Sequence, residues 1–254
     1  MPEPETARCL HCSEPITGKY CANCGKKAAS ERINMRFLLS KLLHSADLDR
    51  GFAASIKYLL TNPGTTIREF ITGQRTGLTN PIKLFLILGT VATWLTFYYE
   101  IFMVPGDAPI LPLLDPDQVV GYTKYSTKYF SFFSLTAIPI FSLFSWLLFF
   151  KSGYNFVENL ILNFYIAAAQ FIIVLFFIPL ILWEKEWVMG IYAFVNVAYN
   201  FWVLMCFFQA RKAKSLILVF LAVALPQILV FYYNYFLYRL APTTFWEYLD
   251  RVLG

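Results

Sequence analysis

The chain has 254 residues and a formal net charge of +5; 58% of its residues are hydrophobic and only 15% are charged. Soluble domains carry about 25% charged residues, so a mean hydropathy of +0.54 excludes a soluble core of this size. Lipid is the solvent that suits such a composition.

The chain opens with Cys9-Leu-His-Cys12 and Cys21-Ala-Asn-Cys24-Gly25. Each Cys-x2-Cys turn aims two thiolates at one point, and the loop between them folds the second turn back. Four sulfurs can then close a tetrahedron at about 2.3 Å from zinc. Cys9, Cys12, Cys21 and Cys24 are the predicted ligands of a structural zinc, with a rubredoxin-like iron or a redox dithiol as alternatives. Four thiolates leave no position for a catalytic water, and His11 is read as exposed rather than ligating. Residues 1–28 form this zinc-ribbon head. No apolar segment of signal-peptide type precedes the first span, which is expected to act as the targeting element.

Residues 29–81 are amphipathic and juxtamembrane. Ile33, Phe37, Leu38 and Leu42 share one face of a helix over 33–44. Asp47 or Asp49 would cap a second helix over Phe52–Leu60, and Asn62-Pro63-Gly64 breaks it. Thr65 or Thr66 would cap a third, ended by Gly73. Such short basic helices suit the inner membrane interface; the alternative is that they pack on one another as a small soluble domain. Asn80-Pro81 then supplies a cap and a first-turn proline.

The remainder, 82–254, reads as a bundle of five transmembrane helices over about 82–104, 129–150, 159–183, 187–210 and 215–238. At about 1.5 Å per residue each crosses a 30 Å hydrocarbon core, and a backbone in lipid must satisfy its own polar groups, which selects helices over open strands. The expected fold is therefore all-α and integral to the membrane. Pro139, Pro179 and Pro226 predict kinks or, more sharply, unwound binding segments. The tail 244–253 has a helical apolar pattern. With the N-terminus inside, inner segments carry 16 Lys and Arg and outer segments 5, which predicts a cytoplasmic N-terminus and an outer C-terminus. The positive charge is thus a topology and lipid-headgroup signal, and no nucleic acid partner is expected.

The spans hold almost no ionisable groups; Glu100 and Glu158 lie near their ends, and the histidines lie before them. That speaks against proton coupling and carboxylate or triad catalysis, so a non-enzymatic protein is expected. The polar groups inside are amides. Asn155, Glu158, Asn159, Asn163 and Gln170 trace a stripe on span three, Asn196 and Asn200 pair on span four, and Gln227 and Asn234 lie on span five. They are read first as interhelical glue. The alternative is a cavity lined by Asn159, Asn163, Gln170, Asn196 and Asn200. Cys206 reads as a small core residue.

The knuckles together with Thr61-Asn62-Pro63-Gly64, Ile67-Arg68-Glu69-Phe70-Ile71, Gly73-Gln74-Arg75 and Asn80-Pro81-Ile82-Lys83 resemble an uncharacterised family of bacterial inner-membrane proteins. That family joins an N-terminal zinc ribbon to a PG-x-x-I-x-E-x-I-x-G-x-R segment and several transmembrane helices. Gln74 departs from its usual Lys. The resemblance covers residues 9–83 and implies architecture and bacterial inner-membrane location, but no activity. Two functions follow as expectations. The leading one is a membrane protein whose zinc head recruits or senses a cytoplasmic protein partner above a packed bundle. The other is a transporter or lipid-handling protein with a cleft between spans three, four and five. Membrane lipids are partners in both, and homo-oligomerisation is open.

Overall fold

The computed structural model describes residues 51–75, 77–102, 122–123 and 126–240, with side chains through Phe236, and Cys12, Glu14, Pro15, Cys21, Asn23 and Cys24. The helix expected over 33–44, the capping aspartates, His11, Cys9 and the tail helix over 244–253 lie outside them. Among the described residues seven α-helices follow one another: α1 (Phe52–Thr61), α2 (Pro63–Thr72), α3 (Pro81–Tyr98), α4 (Phe130–Leu148), α5 (Phe156–Trp183), α6 (Lys185–Phe207) and α7 (Ala213–Leu240). The last five are long and apolar enough to cross a membrane, so this is a multi-pass membrane protein whose described spans are all helical.

Local chemistry sets the helix ends. Asn80 caps α3, its Oδ1 accepting from the N–H groups of Ile82 and Lys83. Span one stops at Tyr98, short of residue 104, because Glu100 turns left-handed at φ 50° and the Ile101 N–H reaches back to the Thr96 carbonyl. Span three starts earlier than expected: Asn155 and Glu158 form a reciprocal capping box. These two residues are therefore a helix start rather than part of an amide stripe. Pro63 rather than a threonine-capped residue opens α2, and left-handed Gly73 (φ 109°) closes it. Gly51, with no side-chain cap, precedes α1.

α5 is the central helix. It packs against α3, α4 and α6, while α7 packs against α4 and α6. Helices α4, α5, α6 and α7 thus make a four-sided box, with α5 and α7 on opposite sides. Trp94, Tyr98, Trp183 and Trp187 are all exposed near the far ends of α3 and α5 and the start of α6. They form an aromatic belt at one membrane boundary.

The amphipathic helices lie at the other end, and their apolar face is turned onto the bundle. Leu59, Ile67 and Phe70 are buried, and Phe70 meets Tyr165 of α5 edge-on at 5.4 Å. Two tyrosine hydroxyls reach across from the spans: Tyr199 donates to the Leu59 carbonyl (2.9 Å) and Tyr165 to the Thr79 carbonyl (2.8 Å). Arg68 donates to the carbonyls of Cys206 and Phe207, supplying donors and positive charge where the C-terminus of α6 runs out of both. α1 and α2 thus pack on the spans rather than only on each other, with Tyr58 and Leu60 of α1 left exposed.

Candidate functional site

The amides of α5 divide into two groups by depth. At the capped end they join helices. Asn159 donates from Nδ2 to the Asn155 carbonyl (3.0 Å) and accepts at Oδ1 from Ser145 of α4 (2.9 Å). Ser142 of α4 also donates towards the Asn159 carbonyl at 3.4 Å. Asn163 is one turn deeper and donates to the Asn159 carbonyl (2.9 Å), with a longer contact to Ser145 Oγ (3.4 Å). Here serine and asparagine work as glue between α4 and α5.

Beyond Asn163 the four-sided box is not packed shut. A cavity of about 450 Å³ lies inside it, within the roughly 300–1,000 Å³ typical of small-molecule sites. Its walls are mostly apolar: Phe130, Phe133 and Phe141 come from α4, Ile166 and Phe171 from α5, Tyr192 from α6 and Val223 from α7. Six carboxamides interrupt them. Asn163 and Gln170 come from α5, Asn196 and Asn200 from α6, and Gln227 and Asn234 from α7. Among the described residues, none that lines the cavity is charged.

Of the residues named from sequence, Asn163, Gln170, Asn196 and Asn200 line this space, and Asn159 does not, being held by Ser145. Gln227 and Asn234, noted in the sequence only as amides of span five, line it as well. Their helix enters the box from the side opposite α5, which periodicity does not reveal. Each amide also has its own circumstances. Asn196 Nδ2 donates to the Tyr192 carbonyl one turn back (3.0 Å), whereas Asn200 and Asn234 are each only 5% exposed and their Oδ1 atoms have no hydrogen-bond partner. Ala193 and Val197 of α6 and Gln227 of α7 line the cavity and are exposed. The described lining therefore reaches accessible surface on α6 and α7.

Three cysteines of the head come together. The sulfurs of Cys12, Cys21 and Cys24 lie within 4.8 Å of one another, and the Cys12–Cys21 pair is 3.5 Å apart. A tetrahedral zinc with bonds of about 2.3 Å needs sulfurs about 3.8 Å apart, so the spacing fits. The Cys24 backbone N–H draws the Cys21 thiol below the usual thiol range, against the opposing effect of burial. Cys206, by contrast, is half-buried on α6 beside Gly64, a packing position.

Residues 49–93 match a family described as protein of unknown function (DUF3667). They comprise α1, α2 and most of α3, which are the cap and the first span. No curated protein and no solved structure matches the chain.

Proposed function

We propose that this membrane protein takes an uncharged, largely apolar molecule into the cavity of its four-sided box, as a lipid-handling protein or transporter does. One observation carries the reading: a cavity of about 450 Å³ whose described lining has carboxamides but no charge. A charged ligand at this depth would need a counter-ion, because a lone charge in a low-dielectric interior costs several kcal/mol or more. A neutral amphiphile needs none, and it can enter sideways from the bilayer. Single cysteines at Asn163, Gln170 and Asn200, in a Cys206→Ser background, test it by peptide-resolved mass spectrometry after treatment with N-ethylmaleimide. Gln170→Cys and Asn200→Cys should react well ahead of a control at Ala168, which is fully buried away from the cavity. Resistance at all three positions equal to the control would mean a sealed bundle and would end the reading.

The cysteine head is proposed as a structural zinc site held by Cys9, Cys12, Cys21 and Cys24, supported by the convergence of three of these thiols. Elemental analysis of purified protein should give about one zinc per chain, lost when Cys21 and Cys24 are both changed to serine. Iron in its place, or no metal, sinks the assignment. A recruiting role for the head is a further proposal attached to this closed cluster, and the cavity reading does not depend on it.

A further inference from the structure

Both ends of the cavity are obstructed among the described residues. Towards α1 and α2, the serines and asparagines that join α4 to α5 lie across it, with Asn159 held by Ser145 and Asn163 bonded one turn back. At the other end an aromatic layer crosses the box. Phe102, in the turn after α3, meets Phe130 of α4 at 5.1 Å and Tyr192 of α6 at 5.8 Å. Phe130 in turn meets Phe171 of α5 at 5.6 Å. Tyr122 fills the corner beside α7, with its ring 6.4 Å from Phe133, 6.1 Å from Phe231 and 5.9 Å from Tyr235.

The cavity is nevertheless partly open. Ala193 and Val197, one turn apart on α6, and Gln227 on α7 are its exposed lining residues; the rest of the described lining is buried or half-buried. α6 and α7 are packed neighbours, and the surface beside these positions is apolar, with Phe194 and Ile228 exposed. A carboxamide turned to hydrocarbon is costly, so Gln227 suits the edge of an opening better than plain lipid-facing surface. We propose that the cavity has a lateral portal between α6 and α7, with Ala193, Val197 and Gln227 at its rim. Its ligand then comes from the bilayer and not from water. This rests on the cavity reading above and narrows the ligand to an uncharged molecule dissolved in the membrane.

The probe is an uncharged long-chain ether carrying a mid-chain diazirine, which its insolubility confines to the bilayer of phosphatidylcholine proteoliposomes of the full chain. Photolysis and residue-resolved mass spectrometry should place crosslinks on Gln170, inside the box on α5, as well as on the lipid-facing Phe176. Ala193→Trp and Val197→Trp each add bulk at the rim and should cut the ratio of Gln170 to Phe176 crosslinks several-fold. Phe194→Trp, exposed beside the rim but outside the lining, should leave the ratio unchanged. Should one rim variant fail to fold, the other and the unaltered chain still decide. A parental ratio in the rim variants overturns the α6–α7 route. Crosslinks on Phe176 but none on Gln170, while N-ethylmaleimide still modifies Gln170→Cys, mean entry from water: the portal falls and the cavity reading stands. If Gln170→Cys resists the maleimide as well, both fall.

Discussion

Gly64→Ala should destabilise the protein, although the substitution removes a glycine from a helix. Helix propensity alone favours alanine by about 1 kcal/mol. A Cβ built on Gly64, however, would stand 2.6 Å from the carbonyl carbon and from the Cβ of Cys206, and 2.8 Å from the Phe207 nitrogen. Two of these are backbone atoms of α6 and do not yield like the end of a flexible side chain. Overpacking of this kind costs about 1–3 kcal/mol, so the clash outweighs the propensity gain. It would also move the Arg68 guanidinium away from the carbonyls it caps. Gly190→Ala is the matched control, because its Cβ meets nothing within 4 Å. Denaturation of both variants in mixed micelles should show Gly64→Ala less stable than the parent by about 1–2 kcal/mol and Gly190→Ala no less stable. A Gly64→Ala protein that gained stability would refute close docking of α2 on α6.

Tyr165→Ala should lose more, about 3 kcal/mol or above. The ring is fully buried and among the largest such side chains in the protein. It packs edge-on against Phe70, and its hydroxyl holds the Thr79 carbonyl. In lipid the gain from removing apolar surface from water is largely absent, since the hydrocarbon outside is as apolar as the interior. The loss therefore comes from the unfilled space, the broken aromatic pair and the orphaned carbonyl. Tyr165→Phe separates these contributions: it keeps the ring and should cost only about 1 kcal/mol. Comparable losses from the two substitutions would show that the hydrogen bond, not packing, seats the cap.

Several features are legible in the amino-acid sequence because each depends on residues close together in the chain. The five spans follow from uncharged runs long enough for a bilayer, and those helices are present over Pro81–Tyr98, Phe130–Leu148, Phe156–Trp183, Lys185–Phe207 and Ala213–Leu240. Asn80-Pro81 and Gly73 act on their immediate neighbours and mark helix ends as their chemistry requires. The Asn155…Glu158 box is equally local, but the polar stripe that continues beyond it on the same helix disguises it. The stripe's own split is not readable from sequence. Asn159 and Asn163 differ by one turn, and only the position of Ser145 on the neighbouring helix decides that one is fully engaged and the other meets open space.

The sequence by itself determined that this chain belongs in a membrane, that it crosses as helices, and where its amphipathic segments and cysteine knuckles lie. Hydropathy, caps and turn spacing are properties of contiguous residues, and the bilayer imposes helical structure whatever the neighbours do. Only the tertiary structure decided what the amphipathic faces cover and whether the amides are glue or lining. An apolar face states that something must cover it, not what. Whether Asn200 on α6 and Asn234 on α7 share one cavity depends on how α4 and α6 hold α5 and α7 apart, a distance set by packing between helices far apart in the chain.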